Sequence, residues 1–543
     1  MKNLCLPILM IVIAVVNLKA QSNYVSSVWQ PDLNNGKYKN PIIYSDYSDP
    51  DVIRVGDDFY MTASSFNAVP GLPILHSKDM IHWEIINHAI PKLEGEGIPT
   101  DFFNKTQHGN GIWAPAIRFH KGEFYIYYGD PDFGIYMTKT TDPRKEWEPL
   151  VLVKAGKGLI DACPFWDDDG NAYLVHAYAG SRAGIKSLIA ITKLSVDGRK
   201  AIGTSKTVYD GHEIDKTIEG PKMHKRNNYY YIFCPAGGVA TGWQTVLRSK
   251  SIFGPYERKI VLEQGNTEIN GPHQGAWVDS PNGKDWFYHF QDVGTLGRIV
   301  HLQPMTWRDN WPVIGVNPTQ KGIGFPTSTF EKPIKIIDVK HPQESDEFNS
   351  NSLGLQWQWH GNPQDWWHYC NASNGLLSLY SVSNAPDYKN LFDVPNLLLQ
   401  KIPAPIFTAT TKVNFKANPQ AKHERTGLLI MGMDYSLLSI DYDERGYTLS
   451  QIDCYGAEKG SQERVNASVT LKNGNVYLQM KFQNTNTAQF YYSLDGKNFQ
   501  PIGKIFKARE GKWIGAKIGL FCSRFNPLND GGQADFDWFR VTN

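Results

Sequence analysis

Residues 49–84 read DPDVIRVGDDFYMTASSFNAVPGLPILHSKDMIHWE. A carboxylate, Asp49, opens a short strand; the polar turn Gly56-Asp57-Asp58 follows, then an aromatic strand and a third extended segment. The plan returns four times before about residue 315. Its aromatic strands are GEFYIYYG (122–129), GNAYLVHA (170–177), NNYYYIFC (227–234) and KDWFYHFQ (284–291), each behind a polar turn. The markers opening these units are Trp113, Asp161, Glu219 and His273. Repeated units of several strands apiece are the signature of a β-propeller, here with five blades. In such a fold the first strand of every blade lines the central channel. Asp49, Asp161 and Glu219 are therefore expected to meet in one pocket.

Outside the repeat, residues 1–20 carry Lys2, an apolar run LCLPILMIVIAVV and a small residue at Ala20. The run is too short to cross a bilayer and reads as a signal peptide cleaved after Ala20, which implies a periplasmic or secreted protein. The propeller is assigned to 21–335, a Pro-containing mixed-charge linker to 336–345, and a second domain to 346–543. That last region alternates apolar and polar residues in short runs such as GLLSLYSV (375–382), TATTKVNFKA (408–417) and VYLQMKFQ (476–483). The pattern predicts an antiparallel β-sandwich of jelly-roll type, and no segment reads as a helix of normal length, so the fold class is all-β. A formal charge of +1 gives no electrostatic reason to expect nucleic acid as a partner. No other segment is long and apolar enough to span a membrane. Five widely spaced cysteines remain after Ala20, with no CxxC pair to suggest a metal site.

Hydrolysis of a glycosidic bond needs one carboxylic acid to protonate the leaving oxygen and a second carboxylate to activate water or attack carbon. Singly, Asp49 reads as a turn cap, Asp161 as a strand end and Glu219 as a solvated group. As a set brought to one channel mouth, they have no structural reason to crowd together. The 16 Trp, 27 Tyr and 26 Phe fit a sugar-handling protein, since aromatic faces stack on the C–H faces of sugar rings, although most of them belong in sheet cores.

The segments Ser48-Asp49-Pro50-Asp51, Gly111-Ile112-Trp113-Ala114-Pro115, Ile160-Asp161-Ala162, Ile218-Glu219-Gly220-Pro221, Gly271-Pro272-His273-Gln274-Gly275 and Leu296-Gly297-Arg298-Ile299 resemble, in order, those of glycoside hydrolase family 43. The resemblance implies inverting hydrolysis without a catalytic cofactor. In it Asp49 corresponds to the general base, with Asp46 and Asp51 as rivals, Glu219 to the general acid, and Asp161 to the residue that orients that acid and raises its pKa. Arg298, Phe66 and Trp113 correspond to groups that contact the terminal sugar. His273 corresponds to a position that in many members faces a metal ion, often calcium, or a water cluster in the channel, so a structural calcium there is the implied cofactor. Phe525 is the candidate for an aromatic brought over the pocket by a sandwich loop. The implied activity is exo-acting release of α-L-arabinofuranosyl units from arabinose- or xylose-containing hemicellulose or its oligosaccharides, with β-D-xylosidase as the alternative. A retaining fructan-type propeller hydrolase would need a Glu-Cys pair, and here Glu219 precedes Gly220. A non-catalytic sugar-binding protein is the remaining reading, with Trp357, Trp359, Trp366 and Trp367 as a stacking platform or, alternatively, as filling between domains.

Overall fold

The computed structural model describes residues 24–335, 338–421, 423–525 and 527–543; the proposed signal peptide lies outside them. Five four-stranded antiparallel sheets form the blades. Their innermost strands are Asp51–Val55, Trp113–His120, Leu159–Trp166, Lys222–Arg226 and His273–Asp279. The aromatic strand of each repeat is the second strand of its blade, and its rings fill the space between blades. Tyr288, for instance, packs in one cluster with Val52, Met61 and Trp83 and so joins the fifth blade to the first. The circle is held at its seam by the chain before blade one. Ile43 bridges Val300 of blade five, and Lys37–Lys39 pairs with Thr329–Glu331.

Two large sheets follow, one of seven antiparallel strands and one of eight with a single short parallel edge pairing, packed face to face as a sandwich. The strand Phe407–Lys416 alternates buried and open positions along its length, as a half-buried strand must, and Phe407, Ala409, Val413 and Phe415 enter the core. The domains dock through a mixed interface. Val69 and Trp359 exchange backbone hydrogen bonds, Asn362 Nδ2 donates to Leu93 O at 3.1 Å, and Asn67 Nδ2 donates to His360 O at 2.9 Å. Of the four tryptophans considered as a platform, Trp357 and Trp367 sit in the sandwich core and Trp359 in the interface, while Trp366 alone is open, at 65%. Filling between the domains therefore holds for Trp359, while Trp357 and Trp367 fill the sandwich itself.

Between the sandwich strands Gln500–Lys507 and Lys517–Arg524 a loop leaves the domain and lies on the propeller. Thr295 Oγ1 donates to Ala508 O at 3.1 Å, Ala516 N–H to Thr295 O at 2.8 Å, and Gly515 N–H to Asp46 Oδ2 at 3.1 Å. This loop carries Trp513 to the mouth of the channel.

Candidate active site

One conformational device recurs where each inner strand begins. Asp49, Ala114, Asp161, Gly220 and Gln274 all have positive φ, at 55°, 26°, 59°, 59° and 28°. Four of the five carry a side chain that disfavours this region, so the surrounding blades hold the strain in place. In blades two, three and five the ladder slips at this point, between Trp113 and Ala116, Ile160 and Cys163, and His273 and Gly275. Such bulges re-aim side chains next to active sites. The device also refines the repeat. Asp49 and Asp161 occupy the left-handed position itself, whereas Trp113, Glu219 and His273 precede it by one residue. The acids converge all the same: Asp49, Asp161 and Glu219 line one pocket with Phe66, Trp113, His273, Gln274, Arg298 and Trp513.

Asp49 is buried and held by donors. Ser48 Oγ donates to its Oδ2 at 2.9 Å, Ser64 Oγ to the same atom at 2.5 Å, and Arg298 Nη1 to Oδ1 at 3.3 Å. Ser64 is itself fixed, accepting from Ala114 N–H at 2.7 Å. Asp161 Oδ2 accepts from Gly220 N–H at 2.8 Å, which ties the third acid to the residue after Glu219. Burial, and then the charges of Asp161 and Asp49, push the Glu219 carboxyl up to about 8, against the opposing pull of Arg298 and Lys186. A quarter of the Glu219 side chain, 24%, still opens into the pocket, so solvent there moderates the rise. Asp161 is raised to about 6 by burial first; the Gly220 N–H and the Lys222 ammonium oppose that rise and the Asp49 charge adds to it. The two acids titrate as a pair. Between these values the pair holds one proton, and it rests on Glu219.

Arg298 reaches the pocket from the start of its strand, donating to Ser48 Oγ at 2.7 Å and lying over the Phe290 ring at 4.8 Å. Phe66 and Trp113 form an edge-to-face wall with centroids 6.2 Å apart, and Trp513 meets Trp113 in the same way at 6.2 Å. The rivals for the base are occupied elsewhere. Asp46 accepts from Arg298 N–H and Gly515 N–H and so joins the domains. Asp51 accepts from Arg118 Nη1 and Ile117 N–H and joins blades one and two.

One expectation is corrected. Phe525 does not reach the pocket: it is 46% exposed on the sandwich, edge-on to Tyr388 at 5.1 Å, with the Arg425 guanidinium over its ring. Trp513 takes that place. Its flanks, Gly511-Lys512 and Ile514-Gly515, mark a turn bearing one large exposed ring, and that was the available signal. Both ring nitrogens of His273 are buried without a hydrogen-bond partner. Among the described residues no three His, Cys, Asp or Glu side chains converge on a common position. The His273 ring is fully buried and pushed down to about 3 by burial and the Arg298 charge, hence neutral, with Glu219 Oε1 3.5 Å from its Nε2.

A five-bladed propeller with three carboxylates at one mouth of its channel and an aromatic wall beside them defines a glycosidase-type site. The chain belongs to glycoside hydrolase family 43. Residues 38–312 match the family profile described as "Glycosyl hydrolases family 43", and residues 345–542 match "Beta xylosidase C-terminal Concanavalin A-like domain". A "Putative beta-xylosidase" of Xylanibacter ruminicola is 41% identical over 493 residues, covering 90% of this chain and 86% of its own. A "Beta-xylosidase" of Formosa agariphila is 32% identical over 94% of this chain and 90% of its own. The crystal structure of the GH43 BlXynB protein from Bacillus licheniformis superposes with a TM-score of 0.80 at 26% identity, covering 93% of this chain and 99% of that one.

Proposed function

We propose that this chain is an exo-acting β-D-xylosidase that cleaves terminal xylosyl units from xylose-containing oligosaccharides or polysaccharides by single displacement. The observation that carries the mechanism is the division of roles among the carboxylates: a buried Asp49 among donors, facing a Glu219 that keeps its proton to about 8. Glu219 gives its proton to the glycosidic oxygen as the bond to the anomeric carbon breaks. A water attacks that carbon from the opposite face, and Asp49 takes the proton the water loses. Asp161 raises the pKa of Glu219 by its charge and, through Gly220 N–H, fixes the backbone beside it. Phe66, Trp113 and Trp513 offer ring faces to the sugar, and Arg298 offers N–H donors to its hydroxyls.

The order of the two sugars expected from sequence is reversed here. The two relatives at 41% and 32% identity are named as β-xylosidases, which supports the xyloside over the arabinofuranoside. The loop of residues 508–516 laid over the mouth supports an exo pocket, because it limits how much of a chain can enter. Export through residues 1–20 is part of the same reading, since polymeric xylan is met outside the cytoplasm. A panel of nitrophenyl glycosides tests the substrate: kcat/KM should be highest on the β-D-xyloside. A higher value on the α-L-arabinofuranoside would return the assignment to the other sugar.

A further inference from the structure

Beneath the three acids the channel contains a charge that the mechanism has not used. Lys222 opens the inner strand of blade four, three residues after Glu219, and only 1% of it is exposed. Its Nζ donates to Pro115 O, the backbone of blade two across the channel, at 2.8 Å. That carbonyl is the one hydrogen-bond acceptor the structure gives the ammonium, and no carboxylate lies within ion-pair reach of it among the described residues. A buried cation without a partner is costly unless charge nearby offsets it.

The groups around Lys222 leave little choice of what offsets it. Arg118, on the inner strand of blade two, is already matched by Asp51 at 2.6 Å. His224, on Lys222's own strand, is held neutral by burial and by the Arg118 and Lys222 charges, and His273 of blade five is neutral as well. The Cys234 thiol of the next strand is pushed well up by burial and by Asp215 and Asp161, and stays protonated; Cys163 of blade three accepts from Arg118. What remains is the pocket. Asp49 is shared with Arg298, while Asp161, at 2% exposure, has no cation within ion-pair reach among the described residues.

We propose that the Lys222 ammonium is a cation that balances the pocket's carboxylates from inside the channel, and that Lys222 is a positioning residue for the proton on Glu219. The proposal rests on the roles given to Asp49, Asp161 and Glu219 above. The direction of the electrostatics agrees, since the Lys222 charge acts to lower Asp161. Removing that charge makes Asp161 harder to ionise. The acid limb of the rate profile, where an essential carboxylate gains its proton, then moves to higher pH.

The test compares kcat/KM against pH on a nitrophenyl β-xyloside for the wild type, Lys222→Met and Lys222→Arg. The methionine variant should move the acid limb up by about 1 unit, the lower end of what one opposite charge does to a nearby carboxyl, and the arginine variant should leave it in place. A lower rate with an unmoved limb in Lys222→Met would mean that Lys222 only packs, and would overturn the proposal. If that variant does not accumulate, Lys222→Gln is read by the same criterion. Glu219→Ala separates the two levels of the argument. Retained activity there sinks the reading of the pocket, whereas an inactive Glu219→Ala with an unmoved limb in Lys222→Met sinks the Lys222 inference alone.

Discussion

Glu219 keeps its proton to higher pH than Asp161 because it is withdrawn from bulk water and feels the charges of Asp161 and Asp49. Asp161 is raised by burial and by Asp49 but held down by Gly220 N–H and the Lys222 charge. On the proposed mechanism, activity requires the state in which Glu219 is protonated and Asp161 is not. Below the lower value Asp161 gains a proton, and above the upper one Glu219 loses its own. The profile of kcat/KM against pH should therefore be a bell with limbs near 6 and 8. A basic limb near 5 would contradict the rise assigned to Glu219. The two catalytic carboxylates should also separate by leaving group. Glu219→Ala should lose about 10²–10⁴-fold on natural xylosides but little on substrates whose aglycone departs without a proton; Asp49→Ala should lose both. Equal losses on an activated substrate would erase the distinction. At this scale the sequence was readable: the acids stand in segments that repeat, and the repeat declared that they converge. The occupation of Asp46 and Asp51 was not readable, because their donors, Gly515 N–H and Arg118, come from distant segments.

The inner strands show why the repeat is approximate in sequence yet accurate in space. A left-handed residue at the start of each strand, with a bulge in three of the five blades, lets markers one residue out of step point into one pocket. No side-chain pattern announces a bulge on a non-glycine residue, so this part of the site was hidden. Gly275 shows the space involved: a Cβ there would stand 1.7 Å from Tyr288 O on the paired strand. Gly275→Ala should cost about 3 kcal/mol or more of stability, the upper range for overpacking, measured as a fall in denaturation midpoint. A neutral effect would mean that the strands are not packed this closely. The loop of residues 508–516 makes a separate prediction, since Trp513 is half exposed and contributes to the wall more than to the core. Trp513→Ala should reduce kcat/KM on xylo-oligosaccharides about tenfold with an unchanged thermal midpoint.

Across the whole molecule, the sandwich is a structural part of the site and not an appendage. Its buried face beside Asp46 carries a cross-strand pair, Lys401 and Lys517, and burial followed by the Lys401 charge pulls Lys517 down to about 7. In the unfolded chain a lysine keeps its proton to about 10.4. Between these values the unfolded state binds the extra proton, so this group makes stability rise with pH from 7 toward 10 and leaves its cost fully present below 7. Lys517→Met should flatten that rise in thermal midpoint; an unchanged slope would show that Lys517 is not the source. The two layers were legible from alternating apolar residues. The contact between Trp513 and Trp113 was not, because only the docked domains bring residues so far apart in the chain together. On the proposed mechanism this assembled pocket works by one displacement, with water held by Asp49 opposite the bond that Glu219 protonates. NMR of the anomeric proton in the first minutes of hydrolysis of an aryl β-D-xyloside, before mutarotation, tests it most directly. Single displacement releases α-D-xylose first; initial β-D-xylose, or methyl xyloside formed in added methanol, would mean a retaining path instead.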